Sequence, residues 1–417
     1  MRLDRDRFFW IAAAAGLLLR IALFLVASEE PGRRLYAPDS LDYQRLAVNL
    51  IEGHGFSRDS SAPYRPDILR TPAYPAFLAV LYRFGGPHPA LGVFVGVLLS
   101  GASIFLAKRA VQTWAPRARI GPVAGAFVAL DLGAAAYANY LLTEALFTFL
   151  LLLAFDLLGR TVRSASFGSA FASGAVLGVA ILCRPIAVAL PLIVLATRNR
   201  RIILSLVLGS FVVVAPWVAR NAISAGFFGV SSVGSVNLLY HRASAVEDAS
   251  LGRPHETAAT PADASDRDAV AGMRRQGLDV LRRHTGWLIR LTLYAWLRTF
   301  GPDEDPIFGL FGVRTDPSPW WLTRSAASHQ PLAPSLAENL VEGGFLLLLG
   351  ICVARGLGAW KDPRLRPLVV ASLGVVAYFL LVSGPEYYGR FRVPILPFLA
   401  FIGDAGTIRG SVEVEAR

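Results

Sequence analysis

The sequence predicts an all-α polytopic membrane protein. Three observations lead there. Of 417 residues, 54% are hydrophobic, more than the roughly 45–50% of soluble domains by a similar count. Mean hydropathy is +0.48. The apolar excess is gathered into runs, the longest of membrane-crossing length.

The first run, Phe8 to Ala27, follows Arg2, Arg5 and Arg7. Ser28, Glu29, Glu30 and Pro31 come after it, with no small-residue cleavage site. It reads as a retained helix with its N-terminus in the cytoplasm. Next comes PDSLDYQRLAVNLIEGHGF, Pro38 to Phe56. Tyr43, Leu46, Ala47 and Leu50 recur at helical spacing, and Gly53 and Gly55 end the pattern. This is an amphipathic helix lying on a membrane surface. Asp39 opens it. One reading makes Asp39 the helix cap and Asp42 a favourable first-turn charge. Ser40 could cap equally well, which would leave the Asp39 carboxylate free. A Pro/Arg/Ser-rich loop, Ser57 to Arg70, leads to the run Pro72 to Phe84. At 13 residues that run is too short to cross about 30 Å of hydrocarbon. Gly85, Gly86 and Pro87 stop it, so it is a second interfacial helix.

Six further crossings follow: Leu91 to Val111, Ile120 to Ala138, Leu141 to Arg160, a short pair Phe167 to Cys183 and Pro185 to Thr197 around Arg184, and Ile202 to Ala219. Lys108, Arg109, Arg117 and Arg119, then Arg198, Arg200 and Arg201, mark cytoplasmic ends. Seven crossings put the polar region Asn221 to Glu338 outside. It contains an Ala/Asp/Pro-rich patch near Ser244 to Asp268 and an interfacial piece, Trp287 to Phe300. Three last crossings, Leu340 to Val353, Leu368 to Val382 and Val393 to Asp404, flank KDPRLR inside and SGPEYYGRFR outside. The sum is about ten crossings, in a module 1–220, an outer region 221–338 and closing helices 339–417. No internal repeat is visible, which weighs against a transporter built from inverted halves.

Net charge is +11, and Lys108 and Lys361 are the only lysines. Arginine binds phosphate through a planar two-donor fork. Codon bias and the positive-inside rule account for most of the arginines. No soluble basic domain exists to bind nucleic acid. Cys183 and Cys352 lie in apolar runs and read as small core residues, not as a disulfide or metal pair.

This topology gathers polar residues on one membrane face: Asp39, Asp42, Arg70, Glu144, Arg184, Arg220, Asn221, Arg390 and Arg392. A single charge at a helix end can simply snorkel to water. A cluster of acids and arginines on one face asks for more.

The order PDSLDY, LAVNLIEGHGFS, RTPAYPAFLAVLY, NYLLTEALFTFLLLLAF, LCRPIAVALPLIV, APWVARNAISAGFFGVSS and YYGRFRVPILPFL resembles the GT-C glycosyltransferases. It is similar to the bacterial protein O-mannosyltransferase-like enzymes and the aminoarabinose transferases of lipid A. The resemblance covers Arg7 to Tyr240 and Glu386 to Phe398, and does not extend to about His241 to Ser335. It implies a GT-C fold with juxtamembrane helices in the first outer loop (28–90). It also implies a bacterial cytoplasmic (inner) membrane, with the site on the extracytoplasmic side. The donor is then a polyprenyl-phosphate-linked sugar, and the acceptor a hydroxyl on a protein, lipid or polysaccharide. The general base maps onto Asp39, the second acid onto Glu144, and the lipid-phosphate site onto Arg390 and Arg392. Asp42, Tyr43, Arg70, Tyr74, Arg184, Arg220 and Asn221 complete the candidate substrate-binding set. Glu144 could orient the acceptor or hold a divalent cation, and the metal stays open.

These residue types suit that chemistry. A hydroxyl is a weak nucleophile and needs a positioned carboxylate. Inversion at an anomeric carbon requires attack opposite the leaving group, as in inverting glycosidases. Arginine forks stabilise the charge that grows on a departing phosphate. Two other classes compete. A transporter or flippase of lipid-linked sugars would place charges in mid-helix; the acids here sit at helix ends, Asp131 and Asp156 excepted. A non-catalytic assembly subunit would not need both Asp39 and Glu144.

Overall fold

The computed structural model describes residues 4–36, 38–118, 120–192, 199–253, 261, 263–301, 305–311, 332–386 and 389–407. Arg2, Arg119, Arg198, the end of the expected sixth crossing (193–197) and part of the Ala/Asp/Pro-rich patch lie outside the described residues.

Among the described residues every regular element is helical. In chain order these are α1 (Arg5–Val26), α2 (Asp39–Ile51), α3 (Ala73–Gly85), α4 (Pro89–Trp114), α5 (Pro122–Leu130), α6 (Leu132–Tyr137), α7 (Glu144–Ser164), α8 (Phe167–Cys183) and α9 (Arg200–Ala225). Then come α10 (Val233–Val236), a π-helical stretch Asn237–Ala243, α11 (Ser244–Ser250), α12 (Arg267–Arg283), α13 (Thr285–Thr299) and α14 (Asp305–Leu310). The chain closes with α15 (Leu332–Leu357), α16 (Arg366–Ser383), α17 (Gly389–Arg392) and α18 (Leu396–Ala405).

Six helices among the described residues are long and apolar enough to cross a membrane: α1, α4, α7, α9, α16 and the span Asn339–Lys361 that contains most of α15. The remaining expected crossings differ. The third is broken at Asp131, whose extended backbone separates α5 from α6. The fifth, α8, has 17 residues and the tenth, α18, has 10. The described part of the sixth opens as a 3-10 turn, Pro185–Ala187. Pro185 and Pro191 each lack the N–H that a continuing helix needs. The three segments expected to lie on the membrane surface are helical, as α2, α3 and α13.

The helices pack pairwise: α8 on α9, α4 on α7, α7 on α8, α1 on α5 and α15 on α18. Lipid supplies no hydrophobic drive for this, so close backbone approach and polar contacts matter more. Gly174 and Gly209 let α8 and α9 touch, since a Cβ at either would meet a backbone carbonyl of the partner helix. Ser210 Oγ donates to the Gly174 carbonyl at 2.9 Å and Ser205 Oγ to Phe167 at 2.7 Å across the same seam. One core cluster runs from Phe9 to Ala405.

The helix body has two polar ends. Asp6, Lys108 and Thr407 meet at one: Lys108 Nζ is 2.8 Å from Asp6, and Arg5 donates to the Thr407 carbonyl at 3.0 Å. The other end carries α2, α3, the start of α7 and α17.

Candidate active site

Local bonds decide which residues meet at that second end. Asp39 is the first residue of α2; Pro38 precedes it, and no side chain caps the helix. Ser40 is not the cap either. Its Oγ accepts the Tyr36 N–H at 2.8 Å and donates to the Leu141 carbonyl at 3.0 Å. The Leu141 N–H in turn donates to the Arg34 carbonyl at 2.9 Å. These bonds fasten the start of α2 to the start of α7, where Glu144 is the first residue. Thr71 makes a second fastening: its Oγ1 donates to the Cys183 carbonyl at 3.1 Å, setting Arg70 near Arg184.

The result is a row of alternating charges. Arg70 donates from Nη2 to Asp42 at 2.8 Å and to Asp39 Oδ1 at 2.7 Å. Arg390 Nη1 donates to the other Asp39 oxygen at 2.9 Å, and its Nε donates to Glu144 Oε1 at 2.7 Å. Arg184 Nη1 closes the row on the same Glu144 oxygen at 2.7 Å. These are the short distances of charge-assisted bonds. Glu144 is fully buried, and a buried carboxylate requires such partners. Tyr43 and Tyr74 form the apolar floor, edge to face with ring centroids 5.0 Å apart. The Arg70 guanidinium carbon lies 5.3 Å from the Tyr43 ring centre.

Two site residues went unnoticed in the sequence. Asp67 pairs with Arg58 at 2.6 Å and accepts the Arg70 backbone N–H at 2.9 Å. Arg58 also lies 3.5 Å from Asp42. The signal available was RPDILR, an acid three residues before Arg70 in a loop otherwise rich in Pro and Ser.

Electrostatics follow from the row. Burial pushes the Asp39 carboxyl up, but the charges and hydrogen bonds of Arg70 and Arg390 more than reverse this. The net pKa lies below the ordinary aspartate value. Burial acts to lower the Arg70 pKa, and Asp39, Tyr43 and Asp42 reverse that too, so it ends above the usual value. Arg390 is likewise raised, by Glu144 and Asp39 against desolvation. Burial pushes the Tyr43 phenol up to about 12. Asp39, Arg70 and Arg390 are therefore charged at neutral pH.

Of the expected site residues, Asp39, Asp42, Tyr43, Arg70, Tyr74, Glu144, Arg184 and Arg390 are brought together. Arg220, Asn221 and Arg392 point elsewhere. Arg220 donates to the carbonyls of Asp67 at 2.6 Å and Phe56 at 3.2 Å, bracing the loop that carries Asp67. Asn221 Nδ2 donates to the Gly229 carbonyl at 2.9 Å, folding the chain back after α9. Arg392 is buried, donates to the Gly301 carbonyl at 2.5 Å and pairs with Glu342. Arg390 and Arg392 are two residues apart on one helical turn, so their side chains diverge.

A small apolar cavity lies against Arg184, lined by Phe147, Ile186, Phe379, Phe391 and Ile395. Among the described residues no three His, Cys, Asp or Glu side chains converge as a metal-ligand set. Asp39 and Glu144 share Arg390, whose cationic fork occupies the space between them and suits a divalent ion poorly.

The comparisons with protein families and with curated proteins find no match. Solved structures show a likeness at low identity. The apo crystal structure of the Archaeoglobus fulgidus oligosaccharyltransferase has a TM-score of 0.49 and 12% identity, over 96% of this chain and 51% of that one. Archaeal AglB from the same organism, in complex with an inhibitory peptide and a dolichol-phosphate, gives 0.49 and 12% over 96% and 50%. ArnT from Cupriavidus metallidurans bound to undecaprenyl phosphate gives 0.41 and 15% over 97% and 79%. This chain spans about half the length of the oligosaccharyltransferase it is similar to.

Proposed function

We propose that this protein is an inverting membrane glycosyltransferase. It moves a sugar from a polyprenyl-phosphate donor to a hydroxyl on a protein, lipid or polysaccharide acceptor. The site faces the extracytoplasmic side of a bacterial cytoplasmic membrane. The observation that carries this reading is the row Asp42–Arg70–Asp39–Arg390–Glu144–Arg184 at one polar end of an apolar helix body. It puts a carboxylate fit to take a proton beside arginine forks fit for phosphate.

Asp39 takes the acceptor proton. The acceptor oxygen bonds to the anomeric carbon from the face opposite the phosphate. The bond from that carbon to the phosphate oxygen breaks, and its electron pair leaves with the phosphate. The products are the glycosylated acceptor, polyprenyl phosphate and a protonated Asp39 that returns its proton to water. Arg390 and Arg184 stabilise the charge growing on the phosphate. No step passes through a metal.

The row also sets an order of events. Asp39 held by two guanidiniums is a weak base. Four carboxylates (Asp39, Asp42, Asp67, Glu144) face four arginines (Arg58, Arg70, Arg184, Arg390), so the site is electrically balanced. An incoming phosphate competes for the same forks. As it draws Arg390 from Asp39, the carboxylate gains basicity beside the bound donor.

A transporter needs a charge free to move in the apolar body. Buried Arg20 in α1 is not such a charge: it donates to the carbonyls of Gly16, Val128 and Ala129 and to Ser100, fastening the end of α5 just before the break at Asp131. The test is transfer itself. Purified protein in lipid nanodiscs receives a radiolabelled polyprenyl-phosphate sugar and a hydroxyl acceptor. The reading expects labelled acceptor with inverted anomeric configuration and an equal amount of polyprenyl phosphate. Label crossing the bilayer while still lipid-linked would favour the transporter instead.

A further inference from the structure

We infer that Arg242 is a positioning residue for Arg390, acting through Glu386; this rests on the proposed role of Arg390 at the donor phosphate. Arg242 lies in Asn237–Ala243. That segment is a π-helix, a rare element frequent at functional sites.

The geometry aims Arg242 at the connection that delivers Arg390. Its Nε donates to Glu386 Oε1 at 2.5 Å, and its Nη2 donates to the Val382 carbonyl at 2.7 Å. Glu386 is only 8% exposed at the side chain, so this pair is not an ordinary surface ion pair. Val382 belongs to the last turn of α16, whose carbonyls have no helical partner. A guanidinium there satisfies one of them and opposes the negative end of the helix dipole. Just beyond, Gly384 turns the chain with φ of 61°. Glu386 follows, and four residues later Arg390 reaches Asp39 and Glu144. One guanidinium therefore holds both sides of the bend from which Arg390 is presented.

Removing it leaves a buried carboxylate beside the partial negative charge of a helix-end carbonyl, without the guanidinium that bridges them. The bend must then open, and Arg390 moves with it. Two neighbouring bonds set the direction of the restraint. Trp296 Nε1 donates to the Leu380 carbonyl at 2.7 Å, and Arg392 donates to the Gly301 carbonyl at 2.5 Å. Both tie the connection to α13 or its end, so the outer stretch acts as a frame for it. Arg242 is the one of these contacts that grips the bend itself.

The test is a double-mutant cycle on the full chain in nanodiscs, reading undecaprenyl phosphate affinity and thermal stability. R242Q and the near-isosteric E386Q should each weaken binding about 10-fold, within the usual coupling of residues in one network. R242K should recover part of it. In an R390K background the further loss from R242Q should largely disappear, because Arg242 acts through Arg390. A lower melting temperature with unchanged affinity, or losses that multiply with R390K, would overturn the proposal. If the unaltered protein binds no undecaprenyl phosphate, the glycosyltransferase reading fails separately. A cryo-EM structure of R242Q then decides this proposal: Arg390 displaced from Asp39 supports it, and Arg390 still bridging Asp39 and Glu144 refutes it.

Discussion

Arg390 and Asp39, 351 positions apart in the chain, meet at 2.9 Å, and the same guanidinium reaches Glu144 at 2.7 Å. One side chain from α17 thus joins α2 to the start of α7. The proposed chemistry turns on that arginine changing partner from carboxylate to phosphate.

Asp39→Asn tests the base. Asparagine is nearly isosteric and caps helices as well as aspartate, so a cap role predicts an active protein. Asp39 caps nothing here. The variant should fold and lose transfer about 10²–10⁴-fold, the usual share of general base catalysis. Asp42→Asn removes a partner of Arg70 but not the base, and should cost far less. Transfer rate and melting temperature for both variants decide it; wild-type turnover in Asp39→Asn returns the search to Asp42 or Glu144.

Arg390 and Arg392 should separate cleanly. Arg390→Lys keeps the charge but cannot bridge two carboxylates with a rigid fork. It should weaken polyprenyl phosphate binding about 10-fold, a loss within the coupling range of a charge network. Arg392→Lys disturbs the buried pair with Glu342 and the bond to Gly301. It should lower the melting temperature with little change in affinity. Equal effects of the two on binding would contradict their divergent side chains.

The pH dependence has a definite sign. The Asp39 pKa is lowered in the fold. Its contribution to stability is therefore full above the unfolded value of about 3.9 and is lost only as pH falls through the lower folded pKa. Melting temperature should show no Asp39-dependent fall from pH 8 to about pH 5, above that window. The kcat/KM profile reports the free enzyme and kcat the bound complex. With arginines drawn to phosphate, Asp39 should titrate higher in the complex. The acid limb of kcat should lie at higher pH than that of kcat/KM, and coincident limbs would speak against partner exchange.

Topology is open to cysteine labelling from the outer side. Reagent should reach Ser60→Cys and Ser250→Cys and fail at Arg117→Cys and Asp362→Cys. Outer labelling at 117 would reverse the sidedness of the proposed site.

Much of this fold is legible in the sequence because apolar runs report membrane helices directly. α1, α4, α7, α9 and α16 fall where hydropathy puts them. The break at Asp131 is harder, because it depends on Arg20 of another helix bonding the freed carbonyls of Val128 and Ala129. At the site, parity and motif order put these acids and arginines on one expected face, with Arg220 and Arg392 counted among them. They cannot say which pair. Arg390 and Arg392 look alike in YYGRFR, and only the helical turn of α17 sends them to different partners. Asp67 shows only as the acid of RPDILR and Arg242 carries no pattern of its own; their roles arise from contacts with Arg58 nearby and with Ser265 and Glu386 distant in the chain.

The most direct measurement is undecaprenyl phosphate affinity of the wild type and Asp39→Asn, side by side in nanodiscs. If carboxylate and phosphate compete for Arg70 and Arg390, the variant removes one carboxylate from each fork, leaving Asp42 on Arg70 and Glu144 on Arg390. It should bind the lipid phosphate more tightly than wild type, by about 10-fold for each 1.4 kcal/mol of competition removed, while transfer is lost. Equal or weaker binding by a folded Asp39→Asn would contradict the account.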